Sequence, residues 1–118
     1  MARKGHRMKP FIAYQLSLEA ARLLMAPLLA IERKDRDLHK QIRRAIQSLV
    51  LNLAEGNRRR GQDRSHLFRV ASGSAAEIIA ALELSEAWGY LSHDAVTSAE
   101  SLLDQVLAIL YRLTETIR

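Results

Sequence analysis

Apolar residues recur every three or four positions through most of the chain, which is the spacing of one buried face on an α-helix. Four such stretches are separated by short polar links, and no stretch shows the alternation of a half-buried strand. Short links favour antiparallel neighbours. The pattern therefore predicts an all-α fold, an antiparallel up-and-down four-helix bundle.

The first two predicted helices are delimited by proline, aspartate and glycine. Pro27 should end or kink the first helix near Met25, because proline lacks a backbone N–H. Asp35 or Asp37 can cap the second helix, and Gly56 is expected to end it. The residues predicted to form the buried apolar stripe of the first helix are Phe11, Tyr14, Leu18, Ala21, Leu24 and Met25. Those of the second helix are Leu38, Ile42, Ala45, Ile46, Leu49 and Leu53.

The last two predicted helices carry similar signals. Asp63 is the expected cap of the third helix and Gly89 its expected end, while Ser92 or Asp94 should cap the fourth. The third stripe is Leu67, Ala71, Ala75, Ile78 and Leu82, widened by Phe68, Ile79 and Trp88. The fourth is Ala95, Ala99, Leu102, Val106, Ile109, Leu110, Leu113 and Ile117.

Composition adds a size and a compartment to this picture. The chain has 118 residues, 48% of them apolar and only 5% aromatic, which predicts one domain (1–118) with an aliphatic core and a basic flexible arm at 1–9. The absence of cysteine excludes disulfides and thiolate metal sites. The longest apolar run, 23–31, is too short to cross a membrane. With no signal-peptide pattern, we expect a cytoplasmic protein without a membrane partner.

Charge is distributed unevenly along the chain. Residues 1–70 carry 16 Lys and Arg and 6 Asp and Glu, a net charge of +10, whereas residues 71–118 carry 2 and 7, a net charge of −5. Such a dipole can attract a polyanion on one side, or another copy of the protein on the other.

Four short motifs follow one another through the middle of the chain. They are Gln41-Ile42-Arg43-Arg44-Ala45, Asn52-Leu53-Ala54-Glu55-Gly56, Gly73-Ser74-Ala75-Ala76-Glu77 and Trp88-Gly89-Tyr90-Leu91. Together they resemble the four-helix-bundle family called 23S rRNA-intervening sequence proteins, which is related to accessory proteins of diversity-generating retroelements. The resemblance implies a homopentameric ring without enzymatic activity. It also implies a nucleic-acid role and, through the retroelement relatives, binding to RNA and to a reverse transcriptase.

The motif residues also have physical interpretations within the protomer. We assign structural roles to Asn52, Glu55, Gly56, Gly73, Ser74 and Glu77. Gly73 is unfavourable inside a helix, by about 1 kcal/mol relative to alanine, so a close contact is expected there. Arg43 or Arg44 is expected to pair with Glu77, and Glu55 with Arg58 or Arg64. Asn52 is expected to bond across the bundle or to cap a neighbouring helix.

The candidate nucleic-acid site is a set of arginines. Arg58, Arg59, Arg60, Arg64 and Arg69 should lie at one end of the bundle, and we add Arg43 and Arg44. Arginine contacts to phosphates supply most sequence-independent affinity for RNA or DNA. Because no aromatic residue interleaves the link arginines, backbone recognition of structured RNA or duplex is expected rather than base stacking. The alternative is a solvated arginine loop.

Catalysis finds little support in the sequence. His6, His39, His66 and His93 are scattered without metal-ligand spacing, so we expect no enzyme, no metal and no cofactor. Two functions remain, a nucleic-acid-binding module and a self-assembling adaptor for a protein partner. In the second, acidic residues of the fourth helix of one copy would face basic residues of the next copy. The residues concerned are Glu100, Asp104 and Glu115 against Arg36, Lys40 and Arg43.

Overall fold

Residues 8–115 are described by a computed structural model, and over that range the chain is all-α. Its helices are α1 (Met8–Leu23), α2 (Met25–Lys34), α3 (Arg36–Gly56), α4 (Gly61–Ala87) and α5 (Thr97–Glu115). The described residues thus form five helices where the pattern predicted four. Most of the predicted basic arm, with Arg3, Lys4, Arg7 and also His6, lies outside the described residues, as does Ile117.

The extra helix arises at the predicted proline break. Pro27 is buried and is the third residue of α2, where its missing N–H interrupts the hydrogen-bond ladder. The single residue between α1 and α2 is Leu24, whose N–H bonds the Ala20 carbonyl at 3.0 Å. The ladder resumes when Leu28 N–H bonds the Leu24 carbonyl at 2.9 Å. The break near Met25 is confirmed, and the segment beyond it forms a ten-residue helix of its own.

Burial confirms the predicted stripe of α3 and corrects that of α1. Every predicted α3 position is buried except the half-buried Ile46. In α1 the buried positions are Ala13, Ser17 and Ala20, each one position before the predicted Tyr14, Leu18 and Ala21, whereas the predicted Leu24, between α1 and α2, is buried as expected. Ser17 is accepted in the core because its hydroxyl donates to the Ala13 carbonyl at 2.8 Å. Small residues let α1 approach α5, whereas Met25 is 63% exposed.

Two of the predicted caps require correction. Asp35 caps α3 as predicted, with its Oδ1 accepting from Leu38 N at 3.0 Å. Asp63 does not cap α4, because this helix begins at Gly61, two residues before Asp63, with Arg60 at the N-cap position. Asp63 instead lies in the first turn, where its charge still suits the helix dipole.

The predicted cap of the last helix also differs from the one in the structure. Neither Ser92 nor Asp94 caps α5, which begins at Thr97. Ser92 Oγ accepts from Ala95 N at 3.3 Å, so it stabilises the turn that precedes the helix. Gly89, with φ of 77°, follows the end of α4 as predicted.

The helices pack around one aliphatic core. α3 packs most extensively on α4, and α1 on α5, with further contacts between α4 and α5 and between α2 and α3. Phe68 is the largest fully buried side chain. This arrangement places the α3–α4 link at one end of the molecule. None of the described helices is both long and apolar enough to cross a membrane.

Gly73 has no close neighbour within the protomer, contrary to the predicted contact. No atom lies within 4 Å of the position its Cβ would occupy, and the residue is exposed in the interior of α4. Replacing Gly73 with alanine should therefore raise the free energy of unfolding by about 1 kcal/mol, measured by urea denaturation at fixed protein concentration. Gly89→Ala is the control and should destabilise, since Gly89 has a positive φ. A destabilised Gly73→Ala variant would contradict the prediction.

Candidate nucleic-acid interface

The link between α3 and α4 carries three consecutive arginines on a tight turn. Arg58 N–H bonds the Glu55 carbonyl at 3.0 Å, and Arg59 N–H bonds the Gly56 carbonyl at 3.0 Å. The Arg59 guanidinium is paired with Glu55 at 2.6 Å and lies 3.9 Å from Asp63. Arg58 and Arg60 are exposed and form no ion pair with another described residue. The link thus presents two cations to solvent and uses the third internally.

The pairing of Glu55 differs from the one predicted. The partner of Glu55 is Arg59, rather than Arg58 or Arg64, because the turn after α3 brings the Arg59 guanidinium back to the Glu55 carboxylate. Because both partners are about half exposed, this pair stabilises the fold only slightly.

Arg64 is partly withdrawn from solvent by its packing on Phe68. Its Cζ lies 5.6 Å from the centroid of the Phe68 ring. Arg64 Nε, Asn57 Oδ1 and Ser65 Oγ are all buried without a hydrogen-bond partner among the described residues. Such atoms are energetically unfavourable, so this corner of the protein is incompletely satisfied by its own side chains.

A second group of cations lies on the outer face of α3. The face opposite the core presents the exposed residues Arg36, Lys40, Arg43, Arg44, Gln47 and Leu51. None of its four cations forms an ion pair with a described residue. Residues 36–44 span about 12 Å, and Arg44 lies about 20 Å along the helix from Arg58. We call these four cations the α3 basic face.

The predicted arginine set is therefore divided. Arg58, Arg60 and Arg69 are exposed near the link end, whereas Arg43 and Arg44 belong to the α3 basic face. The predicted ion pair of Arg43 or Arg44 with Glu77 is not formed in the described residues. Glu77 and Arg44 instead line opposite sides of a shallow groove of about 240 Å³, which leaves both side chains exposed.

Polar motif residues connect α3 to α4. Asn52 Nδ2 donates to the Ser48 carbonyl at 2.8 Å and lies 3.1 Å from Ser48 Oγ. Ser74 Oγ bonds Ser48 Oγ at 2.8 Å. Asn52 thus bonds within its own helix, contrary to the prediction, and reaches α4 only through Ser48. These residues join the two helices that carry the arginines.

Gly56 also joins α3 to α4, through close packing. A Cβ at this position would lie 2.6 Å from Phe68 Cε1 and 3.3 Å from Leu67 Cβ. The structure thus assigns to Gly56 the close contact that the sequence had assigned to Gly73.

An acidic cluster lies where the end of α4 meets the start of α5. Glu83, Glu86, His93 and Glu100 line a depression of about 350 Å³. Burial raises the pKa of Glu100, the neighbouring Glu86 and Glu83 raise it further, and His93 lowers it. His93 Nδ1 lies 3.1 Å from Glu86 Oε2. No group of three or more His, Asp or Glu placed to hold a metal ion occurs in residues 8–115.

The raised pKa of Glu100 predicts a stabilising substitution. The ionised form of Glu100 is unfavourable in the fold. The stability of the fold with a protonated Glu100 is therefore fully present below the unfolded pKa near 4.5, and it is lost as pH rises through the folded pKa. Glu100→Gln should therefore raise the melting temperature at pH 7 and leave it unchanged near pH 4, as measured by circular dichroism. Glu77→Gln, outside the cluster, is the control. An equal gain at both pH values would contradict this origin.

Trp88 is an exposed aromatic residue next to Lys40 and Arg44 of the α3 basic face, and its exposure was not predicted. Trp88 was predicted to widen the core stripe of α4, but it is 57% exposed. It lines a cleft with Lys40 and Arg44. The available signal was the antiparallel pairing of α3 and α4, which brings the end of α4 to the start of α3.

Comparison with known proteins supports the fold. No curated protein matches the sequence. A solved structure of a protein with unknown function, from the S23 ribosomal protein family of Bacteroides thetaiotaomicron VPI-5482, superposes with a TM-score of 0.80 at 23% identity. The match covers 91% of this chain and 98% of that chain. At this identity the likeness shows the fold alone.

The sequence itself matches one family over most of its length. The match covers residues 9–112, which include all four motifs and both groups of exposed cations. The chain therefore belongs to the 23S rRNA-intervening sequence protein family.

Proposed function

We propose that this protein is a non-enzymatic, homo-oligomeric nucleic-acid-binding module that recognises structured RNA or duplex through its basic surface. The observation that carries the proposal is a group of seven exposed cations on α3, the α3–α4 link and α4 that lack acidic partners among the described residues. They are Arg36, Lys40, Arg43 and Arg44 on α3, Arg58 and Arg60 on the link, and Arg69 on α4. Unpaired guanidinium and ammonium groups are free to replace the counterions of a phosphate backbone.

The spacing of the cations favours a stiff partner. Arg44, the cation of the α3 basic face nearest the link, lies about 20 Å from Arg58, so a partner must present phosphates at both places. A duplex or a folded RNA does so without the entropy loss of ordering a single strand. The incompletely satisfied polar atoms near Arg64 lie at the same end as the link.

Self-assembly would multiply a weak phosphate site. We propose that α1 and α2 act as one kinked element, so that the protomer is an up-and-down four-helix bundle. The family resemblance implies a pentameric ring, in which several copies of the basic surface would bind one RNA with avidity. The exposed small residues Gly73, Ala76 and Ala80 on α4 offer a smooth surface for a neighbouring copy.

A salt-titrated binding assay tests the proposal. We expect a 20-base-pair RNA duplex to bind in fluorescence anisotropy, with an affinity that falls steeply between 50 and 200 mM salt. Arg58→Ala/Arg60→Ala should weaken binding by about tenfold and reduce the log–log salt slope by about 2. The control is Arg22→Ala/Arg112→Ala, which removes two exposed cations outside the basic surface, one of which, Arg22, is paired with Glu19. Absence of binding at low salt, or equal losses in both variants, would overturn the proposal.

The alternative is a self-assembling adaptor that binds a protein partner such as a reverse transcriptase. It is favoured by the acidic cluster, whose negative charge could attract the positively charged α3 basic face of another copy. In a head-to-tail ring, Asp104 and Glu100 of one copy would face Arg36, Lys40 or Arg43 of the next. Light scattering at 50 mM and 1 M salt separates the cases. An assembly that dissociates at high salt, without RNA binding at low salt, favours the adaptor.

A further inference from the structure

Trp88 lies at the end of α4 with its indole largely open. It is 57% exposed, although tryptophan is usually buried over most of its area. Its ring meets Tyr90 edge to face, with centroids 5.8 Å apart and planes at 69°. An indole held in this way presents a flat aromatic surface to solvent.

The backbone around Trp88 is fixed by hydrogen bonds on both sides. Trp88 N–H bonds the Leu84 carbonyl at 2.9 Å, and Tyr90 N–H bonds the Ser85 carbonyl at 2.8 Å. The Tyr90 hydroxyl donates to Asp35 Oδ2 at 3.2 Å, which ties the segment to the start of α3. The backbone that carries Trp88, and the Tyr90 ring that its indole contacts, are therefore held in place before any ligand arrives, which lowers the entropic cost of binding.

Trp88 forms one wall of a cleft between the start of α3 and the end of α4. The cleft has a volume of about 630 Å³, and its other lining residues are Asp35, Asp37, Leu38, Lys40, Gln41, Arg44 and Leu84. This volume lies in the range of small-ligand sites, about 300–1,000 Å³. Lys40 and Arg44 stand one helical turn apart on the opposite wall, and both are exposed.

The cleft is lined by two carboxylates, Asp35 and Asp37, and two cations, Lys40 and Arg44, so its charges balance and it suits a ligand with an anionic group beside the cations and a hydrogen-bonding ring elsewhere. Both oxygens of Asp35 are already used, Oδ1 by Leu38 N and Oδ2 by the Tyr90 hydroxyl. Asp37 remains as an acceptor and Gln41 as both donor and acceptor. Lys40 and Arg44 remain as cations without an acidic partner among the described residues.

We infer that this cleft holds one unpaired nucleotide of an RNA, with its base stacked on Trp88 and its phosphate bound by Lys40 and Arg44. The inference rests on the proposed function and deepens it, because two cations of the α3 basic face, Lys40 and Arg44, line the cleft and leave Arg36 and Arg43 to bind the adjoining duplex. An aromatic platform was not expected from the sequence near the link arginines. The fold supplies one near other arginines, at the far end of α4.

The single tryptophan of the chain makes the inference directly measurable. We compare two RNA duplexes of 20 base pairs, one fully paired and one with a single unpaired adenosine in the middle. The bulged RNA should quench Trp88 fluorescence and bind about tenfold more tightly, because its unpaired base stacks on the indole. The paired RNA should bind, as seen by anisotropy, without quenching.

Substitutions separate stacking from general attraction. Trp88→Ala should remove the tenfold preference, as measured by anisotropy, and Arg44→Ala should weaken quenching by the bulged RNA. Tyr111→Ala is the matched control, because Tyr111 is an aromatic residue 64% exposed on α5. Circular dichroism establishes that each variant is folded.

Several outcomes would overturn the inference. Binding of both RNAs with equal affinity and equal quenching would refute it and leave the proposed function standing. Binding of neither RNA would remove both. A change of Trp88 fluorescence on raising protein concentration without RNA would show that a second copy covers the cleft, and it too would refute the inference.

Discussion

Replacement of Phe68 with alanine should lower the free energy of unfolding by about 3–5 kcal/mol. Phe68 is the largest fully buried side chain, 1% exposed, in the core between α3 and α4. Its loss leaves a cavity that the packed helices can fill only in part. It also removes the ring on which the Arg64 guanidinium lies, 5.6 Å from the centroid. Few substitutions in a domain of this size should have a larger effect.

Urea denaturation followed by circular dichroism measures this loss. Protein concentration must be fixed, because assembly would add its own stability. Leu51→Ala is the control, since Leu51 is 65% exposed on the outer face of α3 and its removal should change stability by less than about 0.5 kcal/mol. A Phe68→Ala variant less than about 1 kcal/mol below the parent protein would mean that the core collapses into the space.

Helices whose apolar residues all lie on one face could be predicted from the sequence, because only that face can be buried in the core. α3 alternates aliphatic residues with charges, so its stripe from Leu38 to Leu53 could be assigned from the spacing of its apolar residues alone. Pro27 and Asp35 carry local signals, a missing N–H and a capping carboxylate, that act within one helical turn. Such signals need no knowledge of the neighbouring helices.

The buried face of α1 could not be assigned because its apolar residues surround the helix. Tyr14 and Leu18 look more suitable for a core than Ser17, yet Ser17 is buried and the other two are half exposed. The choice is made by the close approach of α5, a contact between distant parts of the chain. The spacing of apolar residues shows which face of a helix is buried only when one face is clearly more apolar than the other. Where the difference is small, the neighbouring helix decides which face is buried.

The candidate site was predicted in part for the same reason. The exposure of Arg58 and Arg60 followed from their place on a polar link. The position of Trp88 beside Lys40 and Arg44 depends on how the full length of α4 runs back along α3. Gly56 and Gly73 show the same limit, because the sequence predicts a helix end at the first and a helix interior at the second but does not show what packs on either. Only the neighbouring helix distinguishes the one that is tightly packed.

Gly56→Ala should destabilise the protein by about 2–3 kcal/mol, although alanine favours a helix more than glycine does. The new Cβ would lie 2.6 Å from Phe68 Cε1 and 2.8 Å from Cδ1, which is closer than side-chain atoms can approach. A ring buried on all sides cannot move away without displacing α3 from α4. The steric penalty therefore exceeds the gain in helix propensity.

A double-mutant cycle attributes the penalty to this one contact. In a Phe68→Ala background the added methyl group would enter the cavity left by the ring, so Gly56→Ala should be neutral or slightly stabilising there. The coupling energy between the two sites should be about 2 kcal/mol or more, obtained from urea denaturation of the four proteins. If the two losses simply add, the close approach of Gly56 to Phe68 is not what keeps alanine out of position 56.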